Sequence, residues 1–158
     1  MNADPRVTEF LGRAYTREYS QASAQQIRLQ LERDGYGWWA VEIKGGVPFA
    51  GVIALQGVPF QAAFTPAYEV GWRFAFDSWG HGYATEGASA ALAHAFATLR
   101  WPEVVAFTTV TNVRSQRVMV RLGMTHDAAD DFDHPKLEPG NPLRRHVLHR
   151  KAAPRGPS

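Results

Sequence analysis

The sequence predicts an α/β fold of the α+β kind, a mixed and mostly antiparallel sheet with helices on both faces. Three observations carry this. Two apolar runs, Trp38–Ile43 and Phe49–Leu55, are joined by Lys44-Gly45-Gly46-Val47-Pro48, a glycine-containing connection that reads as a hairpin. From Tyr68 to Phe76, large apolar residues alternate with Glu69, Gly71, Arg73 and Ala75, the period of a half-buried strand. A helical pattern and then a β-rich run follow, and strand, helix, strand implies a crossover to a parallel neighbour.

The elements are expected in this order. Ala24, Ile27 and Leu31 recur at helical spacing between Ser20 and Arg33, with Gly35 as the stop, so an amphipathic helix precedes the hairpin. After the third strand ends at Asp77-Ser78, a helix from about Thr85 to Leu99 carries Ala88, Leu92, Ala95, Phe96 and Leu99 as its buried stripe. Glu103–Thr111, rich in Val, Thr and Phe, reads as a strand, and Arg114–Leu122 as a short helix stopped by Gly123. Leu143–Arg150 is the closing strand. The whole forms one domain over residues 1–151, with 152–158 as a frayed tail.

Composition narrows the function. With 45% hydrophobic, 12% aromatic and 20% charged residues in 158, the chain is globular rather than disordered. It has no cysteine, which removes disulfides, thiolate metal sites and a covalent cysteine intermediate. No apolar run is long enough to span a membrane, and the start lacks a secretory pattern, so the expected compartment is the cytoplasm. A net charge of +2 gives no dense basic patch, and no nucleic-acid partner is expected. His146 and His149 are three apart on a strand and face opposite ways, so no metal site is expected.

The most informative stretch runs from Glu69-Val70-Gly71-Trp72-Arg73 through Trp79-Gly80-His81-Gly82-Tyr83-Ala84-Thr85. A strand, a loop with two glycines and a helix start suit an anion, because the backbone can be approached closely and the first helical N–H groups are unpaired. A Walker loop would need Gly-Lys-Ser or Gly-Lys-Thr, and a dinucleotide fingerprint would need glycine where Thr85 stands. The remaining physical reading is a pyrophosphate, with a turn before a core helix as the plain alternative.

Taken together, these residues resemble the GNAT superfamily of acetyltransferases, in the branch that includes enzymes acetylating ribosomal-protein N-termini. The resemblance extends to Asp4-Pro5, Phe10-Leu11-Gly12, Trp39-Ala40-Val41-Glu42, Gly51-Val52-Ile53, Asn112-Val113-Arg114-Ser115, Leu122-Gly123-Met124 and the Asp131-to-Pro135 run. It implies a sheet splayed between the Tyr68 and Glu103 strands, acetyl-CoA as co-substrate, and direct transfer in a ternary complex to a primary amine, a small molecule or a protein N-terminus. Trp79, Gly80, His81, Gly82, Tyr83, Ala84 and Thr85 then form the pyrophosphate loop. Trp79 stands where Gln or Arg is usual and is credited with no polar contact. Val70, Gly71 and Trp72 lie along the coenzyme, with an N–H of Val70 or Gly71 facing developing oxygen charge.

By the same resemblance Glu69 is the general base, directly or through water. The chain has no Tyr after Tyr83, so Ser115 takes the place of the usual tyrosine beside the leaving sulfur, and Asn112 and Ser115 are both expected as catalytic and coenzyme-binding residues. Asn112 and Ser115 are also spaced as a helix cap and its third residue. Phe60 and Phe64 are candidates for an acceptor wall, and Asp130, Asp131, Asp133 and His134 for an acidic loop that orders substrate or is merely solvated. The resemblance also implies an apolar strand before Asp4-Pro5. Met1 falls after it, so the native chain is expected to begin upstream, since otherwise the Trp38 strand keeps an unpaired edge. A catalytically inactive coenzyme-binding or structural protein is the alternative, and a homodimer is left open.

Overall fold

In the computed structural model, which describes residues 1–12 and 15–154, the alternating patterns become a single curved sheet. Asp4 caps a four-residue helix α1 (Pro5–Thr8), with Pro5 in the first turn where its missing N–H costs nothing. Helix α2 (Arg17–Asp34) starts at the Thr16 cap and stops at Gly35, φ 72°, the left-handed stop the sequence indicates. None of its side chains is fully buried; Ile27 and Leu31 are half-buried and Ala24 is exposed, so the apolar stripe is shallower than its spacing implies.

The hairpin forms as β1 (Trp38–Val41) and β2 (Gly51–Gly57), followed by β3 (Tyr68–Phe74). Helix α3 (Tyr83–Ala97) leads to β4 (Glu103–Thr109), and α4 (Val113–Arg121) to two-residue strands β5 (Thr125–His126) and β6 (Phe132–Asp133) and the long β7 (Arg145–Ala152). Boundaries shift by at most three residues from the sequence reading. α1, β5 and β6 are additions, because segments of two to four residues carry no periodicity to read. The closing strand extends to Ala152, one residue into the expected tail, and 155–158 lie outside the described residues.

Sheet order is β1-β2-β3-β4-β7-β5, with β6 also on β7; only β3 and β4 are parallel. β1 is an edge strand, paired with β2 alone among the described residues. One face packs on α3 and α4 as the core: Ile53, Leu55, Val70, Val104 and Ala106 meet Ala88, Leu92 and Met119. Cross-strand partners share a face, so the register Gln56↔Glu69, Glu69↔Val105 and Thr109↔His146 places Gln56, Glu69, Phe107 and His146 on the opposite face. α1 and the start of α2 join that face through Asn2, whose Oδ1 accepts from Arg73 and whose Nδ2 donates to Ser20.

Candidate functional site

β2 and β3 pair along their whole length, from Gly51↔Phe74 to Gly57↔Tyr68, whereas β3 and β4 pair only at Glu69↔Val105. The parallel strands then diverge toward their C-terminal ends, which is the expected splay. A groove of about 490 Å³ lies along β3 past this point, walled by α1, the start of α3 and the outer face of α4. Of the coenzyme residues expected from sequence, Gly71, Trp72, Trp79, Gly80, Gly82 and Tyr83 line it, as do Ala84, Thr85, Asn112 and Ser115. Two do not. The Val70 side chain is 3% exposed in the core beneath α3, and His81 points to solvent with its ring stacked 5.4 Å from Tyr83.

The start of α3 differs from the other helix starts. Asp4, Thr16 and Asn112 each accept a backbone N–H from the first turn of their helix, but Gly82 at the head of α3 has no side chain to do so. The first-turn amides of Tyr83, Ala84 and Thr85 therefore have no helical partner and border the groove. Gly80 and Gly82 sit at φ 80° and 84°, conformations only glycine adopts without strain, and open space lies where a Cβ would project. The loop thus satisfies both demands of a close anion approach.

Trp79 serves as wall. Its Nε1 donates to the Phe74 carbonyl at 3.0 Å, leaving no donor for a ligand, and the Arg114 guanidinium lies 4.5 Å over its ring. Asn112 is a cap with both amide atoms engaged: Oδ1 accepts from Ser115 N at 3.2 Å and Nδ2 donates to Thr108 Oγ1 at 3.0 Å. The Ser115 hydroxyl has no partner among the described residues and lines the groove. Sequence reasoning missed Arg6, Arg73, Arg117 and Arg121, which also line it. The signal was present in part: Arg114, Arg117 and Arg121 are spaced three and four apart, one stripe of α4.

Glu69 stands at the point of divergence, outside the groove lining and on the sheet face away from α3. Gln56, directly opposite on β2, donates from Nε2 to its Oε1, and Trp38 Nε1 donates to Gln56 Oε1 at 2.7 Å. An indole N–H can only donate, so the Gln56 amide cannot flip without losing both bonds. Burial pushes the Glu69 carboxyl up to about 7, against the opposing pull of Gln56 and the Lys136 charge. A carboxyl in that range is balanced between accepting and releasing a proton at neutral pH.

Beyond Glu69 on the same face, aromatic rings gather. Phe60 lies 5.5 Å from Phe107 and 4.6 Å from His134; Phe64 lies 4.9 Å from Phe132. His146 completes the group 5.0 Å from His134. Burial, then the neighbouring His146 and Lys136, pushes His134 down to about 4, and burial also lowers His146, so both rings are neutral at pH 7. The acidic loop is consumed internally: Asp130 pairs with Arg150 and Asp131 with His126, both at 2.7 Å, and Asp133 pairs with Arg144 at 3.3 Å. His149 stacks instead on His126 at 5.0 Å, apart from His146 as strand alternation requires.

Residues 1–125 match the family model described as an acetyltransferase (GNAT) domain. The chain is 31% identical over 135 residues to FsC-acetyl coenzyme A-N(2)-transacetylase of Aspergillus fumigatus, a match covering 80% of this chain and 56% of that protein. It spans just over half the length of the curated relatives it matches. Among solved structures, a GNAT-family acetyltransferase from Bacillus anthracis superposes with a TM-score of 0.76 at 21% identity, covering 96% of this chain and 84% of that one. Ribosomal-protein-S5-alanine acetyltransferase from Vibrio fischeri gives 0.66 at 16%, covering 85% and 71%.

Proposed function

The chain belongs to the acetyltransferase (GNAT) family, and on that premise we propose that it moves an acetyl group from acetyl-CoA to a primary amine by direct attack in a ternary complex. The observation that carries this reading is the uncapped start of α3, opening with its two left-handed glycines onto the groove at the β3–β4 divergence. Oriented N–H groups and the positive end of a helix suit a diphosphate, and Arg114, Arg117 and Arg121 add charge of the right sign along the same groove.

Acetyl-CoA supplies the acyl group activated as a thioester. The chain's own part is orientation and proton movement. An alkylamine with a pKa near ~10.4 is mostly charged at pH 7 and must lose a proton before it attacks. Glu69 receives that proton, directly or through one water, and the Trp38–Gln56 relay keeps its Oε1 as a hydrogen-bond acceptor, which leaves Oε2 for the proton. Ser115 offers a proton at Oγ on the groove wall. Asn112 positions Ser115 by capping α4 and is assigned no chemical step. With no cysteine in the chain, a thioester to the enzyme is excluded.

The test is release of free CoA from acetyl-CoA in the presence of an amine panel, with coenzyme binding followed separately by calorimetry. Turnover that collapses in Glu69→Gln while coenzyme affinity holds supports the reading. Tight coenzyme binding without turnover on any amine in the wild type favours a binding protein on the same scaffold.

A further inference from the structure

We propose that the acceptor is a monoamine whose body beyond the nitrogen is apolar or aromatic and uncharged, seated against the rings of Phe60, Phe64, Phe107 and Phe132. The proposal rests on the reading of Glu69 as the base. Given that base, geometry limits where the acceptor lies. The groove follows β3 from Gly71 toward its C-terminal end, so an amine within reach of Glu69 must extend the other way, over the face that carries Gln56, Phe107 and His146.

That face has the properties of an apolar seat. The four phenyl rings are each only partly buried and are brought together from the segment before β3, from β4 and from β6. The two imidazoles among them are kept uncharged by burial. Apolar area covered by a ring or alkyl body is favourable in proportion to its extent, and edge-to-face ring contacts add to it.

The charges on this face also argue against a polyamine. A second ammonium taken out of water needs a carboxylate of its own. Of the three that the loop and β6 deliver, Asp130 and Asp133 are already ion-paired with Arg150 and Arg144, and Asp131 is tied by a hydrogen bond to the His126 ring. The nearest unspent charge is positive: Lys136 acts on Glu69 and on His134, and it makes no ion pair among the described residues. A diamine would meet repulsion where it needs a counter-ion, whereas a monoamine places its one nitrogen at Glu69 and leaves Lys136 in solvent. In the transfer, the ammonium gives one proton to Glu69, and the N–C bond forms as the thioester C–S bond breaks. The second nitrogen proton passes to the departing sulfur, directly or through Ser115 Oγ, so that the coenzyme leaves as the free thiol.

The experiment compares kcat/KM at pH 8 for 2-phenylethylamine, spermidine and a tetrapeptide with an N-terminal serine, using the full chain and saturating acetyl-CoA. The expected result is a preference of about tenfold or more for 2-phenylethylamine, the range that apolar pockets supply. Phe107→Ala should erase most of that preference, with thermal melting checked alongside. Lys136→Glu, an exposed change that leaves the rings packed, should raise spermidine use several-fold relative to 2-phenylethylamine, and it decides the matter if Phe107→Ala does not fold. A wild-type preference for spermidine or the peptide overturns the acceptor class and leaves acetyl transfer standing. So does a ratio that Lys136→Glu fails to move. Absence of turnover on every amine, with coenzyme bound, overturns both.

Discussion

The two sides of Glu69 are built by opposite means. Toward the groove, the chain presents backbone: open amides at the head of α3, glycines at φ 80° and 84°, and a ring of arginines. Toward β4, β6 and β7 it presents side chains, four phenyls and two imidazoles held neutral, with Asp130 and Asp133 ion-paired to Arg150 and Arg144. The first arrangement suits a polyanion, because backbone donors hold their positions whatever the side chains are. The second suits an apolar body. Glu69 stands between a backbone half and a side-chain half.

The largest expected effect falls on the residue that joins the halves. Glu69→Gln should lower kcat/KM by ~10²- to 10⁴-fold with coenzyme affinity nearly unchanged; calorimetry beside steady-state kinetics checks both, and a loss under threefold removes Glu69 from the role of base. On the backbone side, Gly82→Ala forces a Cβ into a left-handed conformation that costs about 1–2 kcal/mol. Coenzyme affinity should fall about tenfold as the loop relaxes, and unchanged affinity would separate that loop from the diphosphate.

A pH profile separates the relay from the base it serves. The Glu69 carboxyl is raised to about 7, so kcat/KM should fall with an acid limb near that pH as the base takes up its proton. Gln56→Leu removes a donor that favours the carboxylate, and the limb should move to higher pH; a stationary limb means Gln56 only fills space. Stability carries the same sign. Because the folded-state value lies above the ordinary 4.5, the contribution of Glu69 is present below about pH 4.5 and lost as pH rises through about 7. Glu69→Gln should therefore raise the melting temperature at pH 8 and leave it unchanged at pH 4. The smallest effect belongs to the groove rim: Arg117→Ala with Arg121→Ala should weaken coenzyme binding several-fold at low salt and hardly at 0.5 M, since exposed charges are screened.

How much of this was legible in the sequence follows the same division. The hairpin, β3, α3, β4 and α4 were readable because each carries its own period, and the glycine loop before α3 was readable because Gly80, Gly82 and the helix after them are contiguous. Glu69 was singled out by resemblance alone, and its hydrogen-bond partners were not legible: Gln56 and Trp38 precede it by 13 and 31 positions and meet it only through strand register. Phe60 and Phe64 were suspected from their place before β3, but Phe107, Phe132 and His146 join them only once β7 pairs with both β4 and β6. For the acidic loop the sequence left substrate ordering and plain solvation both open; its ion pairs with Arg144 and Arg150 come from β7 and the segment before it, beyond the reach of local pattern. His81 was drawn into the loop by its position between glycines, and positive φ on both sides turns it outward.

A crystal structure with acetyl-CoA bound is the most direct measurement. The account predicts the diphosphate on the N–H groups of Tyr83, Ala84 and Thr85, and the acetyl carbon where β3 leaves β4, within one water of Glu69. A coenzyme lodged along another surface, or an acetyl group directed away from Glu69 toward α2, would contradict it.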